Sequence, residues 1–234
     1  MKKLFIIFLF VSMPSILYGQ VWITAGYGFS WLNSDGINHI IERYNSTRNY
    51  LSKDMEQPGA YSGFALNAGL NFISIQMDVR YSSRSTQISS EGTVGGTNFK
   101  REIDVDYSIY GFGIGFGSFD SNIGYSIGVD IELISPGIVT RIDPGIETEV
   151  DMAGQFATAV SPQFVLFVKL GDELPLAVSL RPYYTIGISD IDYSDLNKTI
   201  NPNTYQNDTE EDQKSKVGGF GIELQFGLFT SLGF

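Results

Sequence analysis

Charged residues recur at alternate positions in segments that are otherwise apolar on one side and small on the other. Asp78 and Arg80 are two positions apart, and so are Asp130 and Glu132. In a β-strand, residues i and i+2 share a face, so each charge lies opposite the apolar face. The residues of this pattern are Asp78, Arg80, Asp130, Glu132, Lys169, Arg181 and Glu223. Because a buried charge is costly until an opposite charge neutralises it, they predict a structural network of ion pairs, with a narrow conduit or a catalytic cluster as alternatives.

His39 is the only histidine of the chain, and Glu42 follows it three residues later. On a helix the two side chains would share a face, which would suit a weak metal pair or part of a hydrolase site. A triad would need a further Ser or Asp from elsewhere in the chain. We interpret His39 as a solvated loop histidine, and we predict no catalytic, cofactor-binding or metal-binding residue and no enzymatic activity.

Two further motifs could be mistaken for binding sites. Residues 111–117 alternate glycine with Phe or Ile, but they lack the Lys-Ser/Thr ending and the following helix of a phosphate-binding loop. Residues 208–212 are rich in carboxylates and could bind divalent cations near a lipopolysaccharide surface, although a hydrated, mobile loop is the more common meaning. We therefore predict inward-facing glycines for the first motif and a solvated loop for the second.

The composition excludes several classes of function. The chain has 234 residues, with 15 Lys+Arg against 26 Asp+Glu and no cysteine. The acidic balance argues against nucleic acid as a partner, since a phosphate binder needs a basic patch. Without cysteine there are no disulfides, no thiolate metal sites and no lipid-anchored N-terminal cysteine. Aromatic residues make up 14 %, which is high for a soluble domain.

Residues 1–19 are predicted to be a secretory signal peptide. Two lysines precede the apolar run of residues 4–11, and the segment ends on the small residue Gly19. Cleavage before Gln20 would leave residues 20–234 as the folded domain. An N-terminal membrane anchor is the alternative, which we disfavour because the apolar run is shorter than the ~20 residues that span a bilayer.

Strict alternation between apolar and small or polar residues predicts β-strands along the rest of the chain. The last segment is apolar at even positions from Phe220 to Phe234, much longer than the ~5–6 residues of an ordinary strand. The same period predicts eight strands, at residues 21–31, 61–71, 73–81, 102–117, 123–133, 156–170, 176–188 and 217–234. Long connections follow strands one, three, five and seven, at residues 33–59, 89–98, 135–154 and 190–216. Short turns follow strands two, four and six. This alternation of long and short connections is typical of membrane barrels.

Local signals predict details within this meander. Helical spacing of apolar residues in the first loop predicts a short amphipathic helix, capped by Asp35, over the barrel mouth or in the membrane interface; a helix packed only on its own loop is the alternative. A change of apolar parity predicts a two-residue turn at Asn71 and Phe72. A second change predicts a β-bulge near Ile109 and Tyr110.

The residues opposite the apolar face decide between a soluble barrel and a membrane barrel. That face combines the charged residues with many glycines, among them Gly111, Gly113, Gly115, Gly124 and Gly128. Bare glycine would be unusual on a solvated face, whereas inside a narrow lumen it leaves room for long charged side chains. Aromatic residues also collect at strand ends, as in interfacial girdles: Trp22, Phe72, Phe116 and Phe234 at one rim, Trp31, Tyr61, Tyr81 and Phe220 at the other. We predict an all-β fold, an eight-stranded antiparallel up-and-down transmembrane β-barrel with long extracellular loops and short periplasmic turns.

The predicted mature chain resembles the small eight-stranded outer-membrane barrels of bacteria, in particular the PorT-like outer-membrane β-barrel family of Bacteroidota. The resemblance rests on the signal peptide before Gln20, the glycine and aromatic strand pattern, Pro162 and Pro182 in successive late strands, and terminal Phe234. Those prolines predict bulging or imperfect hydrogen bonding between their strands.

The resemblance implies a location, partners and a role. It implies the outer membrane, with lipid, lipopolysaccharide and the barrel-assembly machinery as partners and a C-terminal assembly signal at Phe226, Leu228, Leu232 and Phe234. It implies no cofactor. The role would be structural, or would dock a protein through the extracellular loops, with an accessory part in protein secretion or outer-membrane assembly. An outer-membrane enzyme acting on lipid or peptide, or a narrow pore, is the alternative.

Overall fold

The computed structural model describes residues 19–72, 74–119, 122–143, 145–170 and 175–232. Period-two segments form the strands, and two short α-helices and two 3₁₀-helices (Tyr205–Asn207 and Glu211–Gln213) lie in the long connections among these residues. The helices and strands in chain order are β1 (Gly19–Asn33), α1 (Asp35–Ser46), β2 (Leu51–Lys53), β3 (Tyr61–Phe72), β4 (Ile75–Val94), β5 (Thr97–Ser118), β6 (Ile123–Asp143), β7 (Ile146–Val150), β8 (Ala157–Lys169), β9 (Leu176–Gly187), β10 (Ile191–Asp192), α2 (Ser194–Ile200), β11 (Lys214–Ser215) and β12 (Gly218–Leu232). None of the helices among these residues is both long enough and apolar enough to cross a bilayer.

Eight of these strands close into an antiparallel ring. Strand β1 pairs with β12 on one side and with β3 on the other, and the ring continues through β4, β5, β6, β8 and β9. The predicted eight-stranded antiparallel barrel is therefore confirmed. The ends of the barrel differ: the connections that contain α1, β7 and α2 lie at one end, called here the loop end, and the short connections lie at the other, the turn end.

The apolar face changes sides along the barrel without any change in strand register. On β5, Ile109 and the alternate residues above it are buried inside the barrel, whereas Tyr110 and the alternate residues below it are exposed outside. The pairs Tyr81–Tyr110 and Ser82–Ile109 follow one another in a single register, so the predicted bulge is wrong. The parity change reflects the surroundings of the strand: its inward face is apolar near the loop end and small or charged further down.

Neighbouring strands make this change at the same height. Tyr110 pairs with Leu133, which ends the unbroken outward apolar series of β6, and Ile109 pairs with the buried Ile134. Below this level, the outward residues form what we call the apolar belt, in which Phe116, Ile127 and Ile131 are 63 %, 64 % and 62 % exposed. An apolar surface that continues around a barrel far exceeds the few hundred Å² that a soluble monomer ordinarily exposes.

Two of the predicted long loops are extensions of barrel strands. The connection predicted at residues 89–98 is a hairpin of β4 and β5 that turns at Gly95 and Gly96, whose φ angles of 60° and 83° favour glycine. The connection predicted at residues 135–154 contains the hairpin of β6 and β7. Both segments resemble loops in sequence because their outward face is polar, as expected for strands that project beyond the belt.

The first long connection contains the predicted helix, but its cap is different. Helix α1 begins at Asp35 and the N-cap residue is Ser34, which makes no side-chain capping bond. The Ser34 hydroxyl is instead 2.9 Å from the hydroxyl of Ser215. Capping by Asp35 is therefore wrong, and Ser34 ties the start of α1 to β11.

The structure also tests the predictions for the first short turn and for Pro162 and Pro182. Phe72 pairs with Ile75, so the first turn comprises residues 73 and 74, of which 73 lies outside the described residues. The β8–β9 ladder keeps one register but omits Pro162 and Pro182, which indicates incomplete hydrogen bonding and no bulge. Residues 1–18, most of the other two short turns, Pro144 and Phe234 lie outside the described residues.

The aromatic girdles are confirmed only in part. Trp31 and Phe220 are exposed at the loop-end rim with rings 6.0 Å apart, and Phe116 is exposed near the turn end. Trp22 and Tyr61 are buried inside the barrel, so their assignment to the rims is wrong. Both lie on strand faces that otherwise carry small residues, and each fills the barrel near one of its ends.

Candidate functional site

The lumen below the loop end is occupied by a buried network of charged side chains. Its guanidinium groups come from Arg80, Arg84 and Arg181 and its carboxylates from Asp78, Asp130, Glu132 and Glu223. All of them are buried, because each points inward from its strand into a ring that eight strands make narrow. We call this set the lumen network.

Each guanidinium of the lumen network contacts at least one carboxylate from another strand. Arg80 pairs with Glu132, and its Nε lies 3.6 Å from Asp130. Arg181 pairs with Asp130 and lies 3.8 Å from Asp78. These pairs join β4 to β6 and β6 to β9 across the lumen, so the network links strands that are not neighbours in the ring.

Neutral amides and hydroxyls bind the remaining oxygens of the network. Gln76 donates to Asp78 at 2.8 Å, Gln163 to Asp130 at 2.6 Å and Gln225 to Glu223 at 2.8 Å. One oxygen of Asp78 is buried without a hydrogen-bond partner among the described residues. Since three guanidiniums face four carboxylates, Asp78 is the acid with the weakest compensation.

The predicted list of interior charges differs from the lumen network at two positions. Arg84, which sequence analysis did not include, is 2.5 Å from Glu223 and also donates to backbone carbonyls of β3. The sequence could have identified Arg84, because its even position on β4 gives it the same face as Asp78 and Arg80. Lys169 is not part of the network: its Nζ donates to the Phe119 carbonyl at 3.0 Å near the turn end.

Glycine makes room for the network at a specific point. A Cβ added to Gly113 would lie 2.5 Å from an oxygen of Asp130 and 2.7 Å from one of Asp78. At Gly111 the nearest atoms would be 3.5 Å away, which is an ordinary contact. At the lumen network, the space requirement therefore applies to Gly113, where the two carboxylates approach, and not to Gly111.

Apolar clusters lie beyond the lumen network at both ends. At the turn end, Phe167 packs against Trp22, Phe119 and Phe229 with ring centroids 5.4–5.7 Å apart. At the loop end, Ile37, Ile40, Ile41 and Tyr44 of α1 are buried against inward residues of β5, β6 and α2. Helix α1 thus lies over the barrel mouth, and buried side chains occupy the lumen at the level of each apolar cluster and of the lumen network.

Helix α1 is also tied to the segment after α2 through Asp208. The His39 Nε2 is 3.3 Å from an oxygen of Asp208, Arg43 binds the same oxygen, and Asn197 donates to the other at 2.8 Å. Burial acts to raise the pKa of Asp208, but hydrogen bonds from Asn197, His39 and Arg43 outweigh it and hold the pKa below its ordinary value. Asp208 therefore clamps α1 to α2 as a carboxylate.

The two chemical alternatives for His39 are weakly supported by these contacts. Glu42 accepts a hydrogen bond from Gln57 at 3.2 Å. Among the described residues, the side chains arranged most like a metal site are those of His39, Asp208 and Asp212, whose possible ligand atoms lie within 4.8 Å of one another. The Arg43 guanidinium already binds Asp208 and would repel a cation there. No Ser or Thr hydroxyl in the described part of the chain is hydrogen-bonded to His39.

Comparison with known proteins gives similar structures and no family. Neither the protein-family models nor the curated proteins match this chain. Over 91 % of the chain it is similar to the outer membrane protein OprG from Pseudomonas aeruginosa, with 10 % identity, 96 % of that chain covered and a TM-score of 0.49. It is similar to Ail, the attachment invasion locus protein of Yersinia pestis, over 92 % of this chain and 100 % of that one, with 12 % identity and a TM-score of 0.44. Neisserial surface protein A gives 91 % and 97 % coverage, 13 % identity and a TM-score of 0.37. The resemblance to the PorT-like family stays a prediction.

Proposed function

We propose that the chain is an integral β-barrel of the bacterial outer membrane, without enzymatic activity, that docks a partner through its loop end. The observation that carries the proposal is the apolar belt, which reverses to a polar outward face at one height. A soluble barrel would keep its apolar residues inside along the whole strand, whereas hydrocarbon stabilises the belt seen here. In this orientation the loop end is extracellular and the turn end periplasmic.

The filled lumen favours a structural or docking role over a pore. The lumen network occupies the middle of the barrel, and the apolar clusters lie above and below it. Buried pairs of this kind neutralise one another and leave no wide path for a solute. A role for His39 in catalysis has little support, because its partner Asp208 is engaged by Arg43 and Asn197.

The projecting hairpins supply a surface for docking. Above the belt, β2, β4, β5, β6 and β7 form one extended sheet, with β2 and β7 as its two edge strands. Ile146, at the start of β7, is 62 % exposed. An edge strand with an exposed apolar side chain is a surface on which another chain can pair or pack. An accessory part in secretion or outer-membrane assembly would be one use of such docking.

Site-specific photo-cross-linking in intact cells tests the docking. A photoreactive residue at Ile146 is expected to give a discrete protein adduct, whereas one at Ile127 in the apolar belt is expected to contact lipid only. The two positions are both exposed isoleucines, so the comparison is matched in side chain. Adducts at neither position, or the same adducts at both, would contradict docking through the loop end.

A further inference from the structure

A cavity at the loop end holds two arginines that have no carboxylate partner. It has a volume of about 350 Å³. Its lining includes Tyr44 and Arg48 of the first connection, Phe99 and Arg101 of β5, and Ile200 of α2. Neither Arg48 nor Arg101 forms a salt bridge within the described residues, although the chain carries a net charge of −11. Two unneutralised guanidiniums in an acidic protein are unexpected unless something supplies a negative charge.

Arg48 has a structural role that uses most of its donors. It donates to the carbonyls of Tyr44 and Ile200 and to the side chain of Asn201 at 2.5–3.0 Å. It also lies over the Tyr44 ring, 3.9 Å from the centroid. Arg48 therefore holds α1 to α2 and contributes a fixed positive charge to the cavity wall.

Arg101 has no such role. One terminal nitrogen of its guanidinium is buried without a hydrogen-bond partner among the described residues, and the guanidinium lies 5.6 Å from the centroid of the Tyr44 ring. A cation over an aromatic ring gains only about 0.5–1 kcal/mol and does not bind the free N–H groups. Burial lowers the pKa of Arg101, and the nearby Arg48 lowers it further. Both effects describe a positive group that lacks its counter-charge.

The remaining walls of the cavity are mostly apolar and aromatic, with Thr97 and Thr199 as the polar exceptions. Tyr50 and Phe99 meet edge to face with centroids 5.8 Å apart, and Ile142 and Pro202 complete the wall. A few polar groups in an otherwise apolar concavity of this size are typical of a small-molecule site. One guanidinium without a carboxylate partner suits a single carboxylate, and the walls suit an apolar or aromatic group attached to it.

We propose that this cavity binds a small monocarboxylate that bears an apolar or aromatic group. The carboxylate accepts from the guanidinium of Arg101, beside the fixed charge of Arg48, while the apolar group lies between Tyr50, Phe99 and Ile142. The cavity adjoins the docking surface, because its wall residue Ile142 pairs with Ile146 of β7. Its test measures binding of a small ligand to the purified chain and does not depend on the proposed docking.

Calorimetric titration of the full barrel in lipid nanodiscs, with empty nanodiscs subtracted, tests the site. The probe is 3-phenylpropionate, and its uncharged amide and phenyl phosphate are the comparison ligands. We expect saturable binding of the carboxylate, with the amide at least about tenfold weaker because it loses a charged hydrogen bond. Equal binding of the amide, a preference for the phosphate, or no saturable binding would each overturn the proposal.

Two arginines on the neighbouring strands β5 and β6 provide a matched pair of variants. Arg101→Met is expected to weaken binding of the carboxylate at least about tenfold. Arg141→Met removes the same charge from the outer face, where Arg141 pairs with Asp104 and Glu147, and is expected to leave binding unchanged. Equal losses in both variants would overturn the proposal. If Arg101→Met does not fold, Arg101→Lys keeps the charge but not the planar fork and is expected to bind more weakly than the native chain; unchanged binding there would also overturn it.

Discussion

At the scale of single residues, the lumen depends on space as much as on charge. Gly113 lies where Asp78 and Asp130 approach each other, and no side chain fits there without displacing a carboxylate. Gly111, on the same strand and face, has room for a methyl group. The two glycines are indistinguishable in the sequence pattern, and only the positions of the carboxylates separate them.

Gly113→Ala is therefore expected to destabilise the barrel, and Gly111→Ala is not. Displacing Asp130 or Asp78 strains the lumen network, at a cost of about 1–3 kcal/mol, the range for overpacking a filled interior. Urea-induced unfolding from lipid vesicles, followed by heat-modifiable migration on gels, measures the difference. Equal stability of the two variants would show that the network is not tightly packed at Gly113.

Asp208 makes the attachment of α1 dependent on pH. Because the folded pKa of Asp208 is lowered from 3.8, its contribution to stability is fully present above that value and is lost as the pH falls through the lower, folded pKa. Cleavage of residues 203–213 by an acid protease should thus rise only below pH 3.8. Asp208→Asn should be cleaved at every pH, whereas Asp195→Asn, at an exposed position of α2, should behave like the native chain. Cleavage of the native chain that does not vary with pH would contradict this role.

The charges show how far sequence reasoning reaches at this scale. Parity alone placed Asp78, Arg80, Asp130 and Glu132 inside the barrel, because one face of each strand had to face the lumen. Parity could not say which acid meets which base, since strands such as β4 and β6 contribute to one cluster from opposite sides of a third strand. Parity also could not show that Lys169 lies beyond the network, because membership depends on the height of a residue along the barrel axis.

At the scale of elements, α1 is the part of the loop end that most depends on packing. Its four apolar residues lie on one face and are buried, which its amphipathic spacing predicted. The helix lies over inward residues of β5 and β6 that are themselves apolar, so burial on both sides holds it in place. Its Ser34 cap makes no side-chain bond to the helix, so tertiary contacts supply most of its stability.

Ile40→Ala should detach α1 without unfolding the barrel. The substitution leaves a cavity beneath the helix and costs about 2–5 kcal/mol, which is enough to free a short element held mainly by packing. Limited proteolysis should then cut residues 33–59 rapidly while the barrel keeps its compact migration on gels. Ile146→Ala, at an exposed position of β7, is the control and should leave proteolysis unchanged. Loss of the compact migration with Ile40→Ala would show instead that the helix and barrel unfold together.

The hairpins of β4–β5 and β6–β7 explain why the predicted boundaries between strands and loops were wrong. Period two continues through residues 86–94, but there the inward residues are mixed and the outward ones polar, so the alternation of apolar and polar residues disappears. A strand that crosses from one surrounding to another reverses its pattern, and a reversed pattern resembles a bulge or the start of a loop. Only the unbroken register of β4, β5 and β6 identifies it as one strand.

At the scale of the whole molecule, the apolar belt gives a matched test of the proposed membrane location. Ile127 and Val139 lie on the same outward face of β6, one inside the belt and one above it. Lysine at Ile127 is expected to cost about 2–4 kcal/mol if the residue faces the middle of a bilayer, and lysine at Val139 close to zero. Folding yields into vesicles measure the difference. Equal yields for the two lysine variants would contradict a belt that faces hydrocarbon.

The apolar belt ends at the same height on neighbouring strands, which would also fix the depth of the barrel in the proposed membrane. Tyr81, Tyr110 and Leu133 mark the upper limit of the apolar belt on adjoining strands. In the proposed membrane, a shift along the barrel axis by one pair of residues would bring polar groups into the hydrocarbon at one end of the belt and expose apolar groups to water at the other. Tilting would do the same at opposite points of the circumference. In the proposed membrane location, the barrel would therefore have one preferred depth, and whatever lies on its outer rim would be held at a fixed distance above the lipid.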